Sequence, residues 1–185
     1  MTICVFAGTF NPIHNAHLRM AEFALFKFGF EKIIFIPSYI PPHKELDKSM
    51  SKHRFNMVKI ATQSNPKFEV SDIEFNNEGK SYTYLTVKML KEMYNIKSRL
   101  NFIIGEDAFK NIKSWYRSDE LKDELHFILF KRSGYNINKE EFDGYSYEYA
   151  GMETVDISST EIRTEHKNMI SDKVGEYIRN NGLYA

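Results

Sequence analysis

The 185-residue chain has a single cysteine, Cys4, which excludes an intramolecular disulfide and any zinc site built on a cysteine pair. Neither sign of charge is in excess: 25 Lys and Arg balance 25 Asp and Glu. The global basic charge of a sequence-nonspecific nucleic-acid binder is therefore missing, and only a local basic patch remains open. No apolar run nears the ~18–20 residues of a membrane span. No basic segment leads into a signal-type apolar stretch at the amino end, so the expectation is a soluble, cytoplasmic protein. Long Pro/Gly/Ser linkers, repeats and low-complexity segments are absent too. One domain over 1–185 is expected, with a small helical C-terminal part from about 158, burying roughly 70% of its unfolded surface. The triple-glycine dinucleotide fingerprint, the P-loop ending in Gly-Lys-Ser/Thr and the His-Glu-x-x-His metal helix do not occur. What is there is ordinary for a globular chain, 42% hydrophobic and 27% charged, with a high 15% of aromatics that points to an aromatic core.

Ile3–Ala7 is a continuous apolar run, the mark of a strand covered on both faces, with Cys4 as an inert buried thiol. Leu18, Ala21, Leu25 and Phe28 then recur at helical steps, predicting a helix from about Asn15 to Phe28 stopped by Gly29. Ile33–Ile36 reads as a second buried strand, and Ser38–Ser51 as a loop carrying Pro41-Pro42-His43-Lys44. A helix is expected over Lys52–Ser64 and a strand over Phe68–Ser71. A further helix, capped by Thr83, carries Val87, Leu90 and Tyr94. Strands follow at Leu100–Ile104 and Phe127–Phe130, with a short helix and Trp115 between them. Lys131–Tyr149 has no clear period and reads as loop or short hairpin. Thr154–Asp156 reads as a last short strand, Ser158–Thr160 as a helix start and Asp172–Asn180 as the final helix. This alternation predicts an α/β fold: a doubly wound, mostly parallel sheet with helices on both faces. Ligands of such sheets bind outside the carboxyl ends of the strands, so Gly8–His17, Gly105–Asp107 and Ser158–Arg163 should line one edge.

Each of these stretches has a chemical and a plain reading. Gly8 and Thr9 can let a phosphate approach the backbone, or they form an ordinary strand-to-helix turn. His14 and His17, three apart on a helix, share a face and can donate to phosphate or bind a metal, or they decorate a helix start. His43-Lys44 is a stiff cationic loop tip or a solvated loop. Asp107 can accept from ribose hydroxyls or cap a helix. Trp115 can stack on a flat ring or fill core. Ser158, Ser159 and Thr160 suit a helix cap, with Glu161 completing a capping box. That explanation leaves out Arg163, which together with the hydroxyls and helix dipole suits a polyphosphate.

Taken together, the segments resemble the bacterial nicotinate-nucleotide adenylyltransferases of the nucleotidyltransferase superfamily with the HxGH motif. GTFNPIHNAH is similar to the family's G-T-F-D/N-P-x-H-x-G/A-H, and Pro41–Lys44 to its Pro-Pro-His-Lys. SYTYLT at Ser81–Thr86 resembles Ser-Tyr-Thr-x-Asp-Thr, IIGEDAFKNIKSW the Ile-Gly-x-Asp…Trp block, and ISSTEIR the Ile-Ser-Ser-Thr-x-Ile-Arg block. The ending VGEYIRNNGLY is similar as well. Four departures stand out: Leu85 for Asp, Ala16 for Gly, Arg132-Ser133-Gly134 for Arg-Pro-Gly, and a shorter, more polar stretch between Arg163 and Asp172.

The resemblance implies a Rossmann-like nucleotidyltransferase fold and transfer of the adenylyl group of ATP to nicotinate mononucleotide. The products are nicotinate adenine dinucleotide, on the route to NAD, and pyrophosphate. It implies His14, His17, Lys44 and Arg163 as catalytic residues. ATP would lie on Gly8, Thr9, Phe10, His14, His17, Gly105, Asp107, Ile157, Ser158, Ser159, Thr160 and Arg163. The mononucleotide would lie on Lys44, Tyr82, Thr83, Trp115, Tyr116 and Arg132. Mg²⁺ would come with ATP, held by phosphates and water, with no metal site on the protein. Partners are the two small molecules, without nucleic acid or membrane, and a homodimer is compatible. The alternatives are an adenylyltransferase for nicotinamide mononucleotide or phosphopantetheine, and a nucleotide-binding module without catalysis.

Overall fold

The computed structural model describes residues 2–42, 48–76, 79–152, 159–164 and 169–184. The apolar runs form strands and the amphipathic stretches form helices, in this order: β1 Ile3–Gly8, α1 Asn15–Lys27, β2 Lys32–Pro37, α2 Ser49–Thr62, β3 Phe68–Val70, α3 Thr83–Met93, β4 Leu100–Gly105. α4 Glu106–Phe109, α5 Ser118–Glu124, β5 Leu125–Phe130, β6 Ser146–Tyr149, α6 Ser159–Thr164 and α7 Asp172–Asn180 follow. All strand pairs are parallel, in the order β3-β2-β1-β4-β5-β6. No helix of the described residues is long and apolar enough to cross a membrane.

The order positions the site. From β1 the chain winds outward through β2 to β3, then returns to lay β4 on the other side of β1 and winds outward again. Neighbouring connections therefore diverge at the carboxyl ends of β1 and β4, which are Gly8 and Gly105, and a crevice opens between them. Alternate residues of the central strands feed opposite faces. Val5, Ile34, Phe102, Ile104, Phe127 and Leu129 pack under α3, α4 and α5 with Val87, Leu90, Phe109 and Leu121. Cys4, Phe6, Ile33, Phe35, Ile103 and Phe130 pack under α1, α2 and α7 with Ala21, Ala24, Met57 and Val174. Cys4 is fully buried, and burial pushes its thiol far above the ordinary range, so it stays protonated.

The structure departs from the sequence expectations in three places. The segment 131–149 is not a hairpin: a 3₁₀ turn at Lys139–Phe142 leads into β6, an edge strand parallel to β5. β6 alternates over only four residues, Tyr147 and Tyr149 packing on the core while Ser146 and Glu148 bond His126. So short a half-polar strand carries almost no periodic signal. α5 went unseen because Leu121 is its one buried residue. Thr83 does not cap α3; Tyr82 holds the extended N-cap position and Thr83 is already helical. The strand expected at Thr154–Asp156 lies outside the described residues.

Phe127 sits at the aromatic centre of one core, with Phe102 at 5.9 Å and Phe109 at 5.1 Å between ring centroids. Phe127→Ala should lower unfolding free energy by ~3–5 kcal/mol. A denaturant titration giving under ~1 kcal/mol would place the packing of this face elsewhere.

Candidate functional site

The crevice between Gly8 and Gly105 has two chambers that share Phe6, Ala7, Gly8, Gly105, Asp107 and Ala108. The smaller, about 180 Å³, adds His14, His17, Arg19, Met20, Phe130 and Arg132. The larger, about 610 Å³, adds Thr9, Ser38, Pro41, Ser81, Thr83 and Trp115. The expected convergence of the first and second motifs at one edge is thus what the fold produces.

The loop from Gly8 to His14 is built by aromatic packing. Phe10 is buried at a left-handed φ of 45°, a position that a bulky residue takes only when its surroundings hold it. Its ring meets Phe6 at 5.4 Å and His17 at 5.0 Å, both edge to face. A Cβ on Gly8 would lie 3.2 Å from the Phe10 ring, so glycine here makes room for that wedge as well as for a ligand. Phe10 supports His17 from inside the fold.

His14 is buried, and its ring stacks on His17 at 3.6 Å and 28°. The His14 backbone N–H donates to His17 Nδ1 at 3.2 Å. Nδ1 is therefore the acceptor nitrogen, which leaves the proton of the neutral ring on Nε2 as the donor this side chain can offer. Arg163 reaches the same loop: Nη1 donates to the Asn11 carbonyl at 2.5 Å and Nη2 to Thr160 Oγ1 at 3.0 Å. Ser159 Oγ donates to the Pro12 carbonyl at 3.1 Å. α6 is thereby brought to the β1–α1 loop, as expected of the third motif. Lys44, Ile157 and Ser158 lie outside the described residues.

Asp107 is in the first turn of α4, whose N-cap is Gly105, and it borders both chambers. Its Oδ1 is 3.6 Å from Arg132 Nε, and a Cβ on Gly105 would come within 2.5 Å of the same oxygen. Only glycine leaves that carboxylate where it is. Arg132 borders the His14 chamber and not the Trp115 chamber, a different placement from the one expected for it. Trp115 packs against the core and also lines the larger chamber. The Tyr82 and Tyr116 rings pack against each other at 4.6 Å, tilted by 33°, and neither lines that chamber, whereas Thr83 does. Leu85, where the family pattern has Asp, is 43% exposed and borders a separate depression with Lys80 and Lys88. That departure leaves both chambers untouched.

Some residues here were invisible to sequence reasoning. Met20 lines the smaller chamber, and the exposed Arg19 borders it. Glu106 is buried and accepts from the Tyr149 hydroxyl at 2.7 Å and the Arg132 N–H at 3.4 Å. Tyr184 donates to Asn11 Oδ1 at 2.5 Å. The triplet Gly-Glu-Asp was the available signal for Glu106; nothing local marks Tyr184. Among the described residues, no three His, Cys, Asp or Glu side chains gather in a metal-holding group.

Residues 5–165 match the cytidylyltransferase-like family. The chain is 41% identical over 189 residues to the nicotinate-nucleotide adenylyltransferase of Bacillus subtilis (strain 168), covering 98% of this chain and 97% of that protein. It is 39% identical over 195 residues to the probable nicotinate-nucleotide adenylyltransferase of Moorella thermoacetica, covering 97% of this chain and 90% of that one. In three dimensions it is similar to Plasmodium falciparum nicotinic acid mononucleotide adenylyltransferase complexed with NaAD. That match has a TM-score of 0.82 and 25% identity, covering 99% of this chain and 97% of that one.

The Tyr184–Asn11 bond needs a neutral phenol. Burial pushes the Tyr184 hydroxyl up to about 12, opposed by the Arg54 and Arg163 charges. An unfolded tyrosine titrates at about 10, so between about pH 10 and 12 the folded protein keeps a proton that the unfolded chain has lost. This part of the stability is complete below that window and disappears as pH rises through it. Denaturant midpoints of the unsubstituted protein and Tyr184→Phe should therefore differ more at about pH 9 than at about pH 11. A difference independent of pH would show that the hydroxyl is not held neutral.

Proposed function

The chain belongs to the cytidylyltransferase-like family, and we infer that it transfers the adenylyl group of ATP to nicotinate mononucleotide, giving nicotinate adenine dinucleotide and pyrophosphate. The observation that carries this reading is the paired chamber, with a histidine pair facing one side of Gly8 and Gly105 and a tryptophan facing the other. A dinucleotide has the matching form, two flat rings joined by a charged bridge. The name of the Bacillus subtilis relative supports the same activity.

In this reaction the mononucleotide phosphate attacks the α-phosphorus of ATP in line, a new P–O bond forms, and the bond to pyrophosphate breaks. The nucleophile is already ionised at neutral pH, so the protein supplies position and charge stabilisation rather than a general base. His17 Nε2–H serves as the donor nearest the charge that develops on the transferred phosphoryl, with His14 stacked behind it. Lys44 and Arg163 neutralise phosphates, and Ser158, Ser159 and Thr160 add donors. Gly8, Gly105 and Ile157 bring backbone to the ATP and Asp107 accepts from its ribose hydroxyls, while Thr9, expected on the same side, borders the Trp115 chamber. Thr83 and Trp115 hold the nicotinate, Trp115 by stacking, with Tyr82 and Tyr116 buttressing that wall. Arg132, on this placement, serves the ATP side.

The donor set fits a divalent ion that arrives on the triphosphate. Asp107, the carboxylate common to both chambers, sits beside Arg132, and imidazole nitrogens are not the ligands a hard Mg²⁺ selects. Bound to phosphate oxygens and water, Mg²⁺ supplies charge neutralisation. The reading is of one domain, its helical C-terminal part from about 158 closing the β1–α1 loop. It works in the cytoplasm on small molecules alone, and a homodimer is compatible with it.

Pyrophosphate release from ATP is the deciding assay. It should be fastest with nicotinate mononucleotide; faster release with nicotinamide mononucleotide or phosphopantetheine would reassign the substrate, and no release with any would make the chain a binding module. His17→Ala should lower turnover by at least ~10²-fold, the effect of losing one oxyanion-type donor. Near-normal turnover would remove His17 from the phosphate site.

A further inference from the structure

Arg54 of α2 has no part in the chemistry above, yet it is a charged side chain with no solvent exposure. Its guanidinium lies between the loops that leave β1 and β2. Nη1 donates to the Thr9 carbonyl at 2.7 Å, and Nη2 to the Tyr39 carbonyl at 3.1 Å and to Ser51 Oγ at 3.3 Å. Tyr39 is held from other directions too: Ser51 Oγ donates to its carbonyl at 2.8 Å, and its N–H donates to Ser81 Oγ at 2.9 Å and Glu74 Oε2 at 3.3 Å. Ile40 N–H donates to Ser81 Oγ at 3.1 Å. Glu74 in turn accepts from Thr86 Oγ1 at 2.8 Å. Thr9, Ser38, Glu74 and Ser81 all border the larger chamber. The guanidinium thus links the loop that leads to the histidine pair with the residues that line the larger chamber.

Stability alone does not call for a charge here. Burial is the largest influence on the guanidinium and disfavours its charge, and Nε has no partner among the described residues. A well-packed apolar side chain of similar volume commonly serves a core as well or better. What it would lack is a planar fork able to hold two acceptors at a fixed spacing, which lysine lacks as well. We propose that Arg54 is a positioning residue that fixes the β1 and β2 loops against each other, and so sets the distance at which the two substrates of the adenylyl transfer meet. This rests on the function inferred above. Each substrate still has its own chamber when the fork is lost, so the effect falls on turnover rather than on binding.

Arg54→Lys should lower kcat by about 10- to 100-fold, the cost of reacting groups displaced by a fraction of an ångström to an ångström. The KM for ATP and for nicotinate mononucleotide should stay within about three-fold of the unsubstituted protein. Methylguanidinium added to Arg54→Ala should restore part of the lost kcat. Met57→Ala, a core truncation on the same helix, should lower the melting temperature and leave kcat unchanged at temperatures where it is folded. If the Arg54 variants do not fold, Ser51→Ala, which removes a hydroxyl bonded to the Tyr39 carbonyl, should show the same split at smaller size. Unchanged kcat in Arg54→Lys, a loss lying wholly in KM, or an equal kcat loss in Met57→Ala would overturn the inference. So would unchanged kcat in Ser51→Ala, should that variant have to stand in. An unsubstituted protein that releases no pyrophosphate overturns the function and this inference together, whereas an active one with an equally active Arg54→Lys overturns this inference alone.

Discussion

A loop that leaves the middle of a sheet must find partners for the carbonyls that the ladder no longer satisfies. From Gly8 to Pro12 those partners come from elements scattered along the chain. The Ser38 N–H serves the Gly8 carbonyl, Arg54 that of Thr9, Arg163 that of Asn11 and Ser159 that of Pro12. Tyr184 takes the Asn11 side chain. The loop that carries the histidine pair is thus tied through its carbonyls to the residue after β2, to α2 and to α6.

The sheet order turns this loop into one half of a site. Because β4 returns to the far side of β1, Gly105 and Asp107 stand opposite Gly8 and Phe10 at the point where connections part. Both glycines are fixed by a neighbour two residues on, Gly8 by the Phe10 ring and Gly105 by the Asp107 carboxylate. The same local device occurs twice on adjacent strands, and the two chambers meet over it. Glu106, buried in the first turn of α4, ties that turn to β6 through Tyr149, whose hydroxyl is pushed above the ordinary tyrosine range by burial and by that carboxylate.

Much of this was legible before any coordinate. The short apolar run Ile33–Ile36 and the stretch Leu100–Ile104 read as buried strands, and the helix between Asn15 and Lys27 follows from its spacing. His14, His17, Asp107 and Trp115 could be named because they directly follow strands or sit beside turns. Arg54 and Tyr184 could not, since each acts on a partner that only the fold brings near. β6 failed for a different reason, being too short and too polar to show its period. The Leu85 departure was legible as a difference, but its outward place on α3, outside the lining of both chambers, had to be seen.

The Arg163 and Tyr184 bonds to Asn11 join residues 152 and 173 positions apart in sequence. On the ribosome, β1, α1 and β2 can pair and pack well before either partner exists, since chains emerge and fold from the amino end. Until 159–184 have been made, the carbonyls of Asn11 and Pro12 and the Asn11 amide have only water for company. The histidine pair then sits on a loop held only at its Gly8 and Thr9 end, and the nascent chain can form much of its sheet before that loop is fixed.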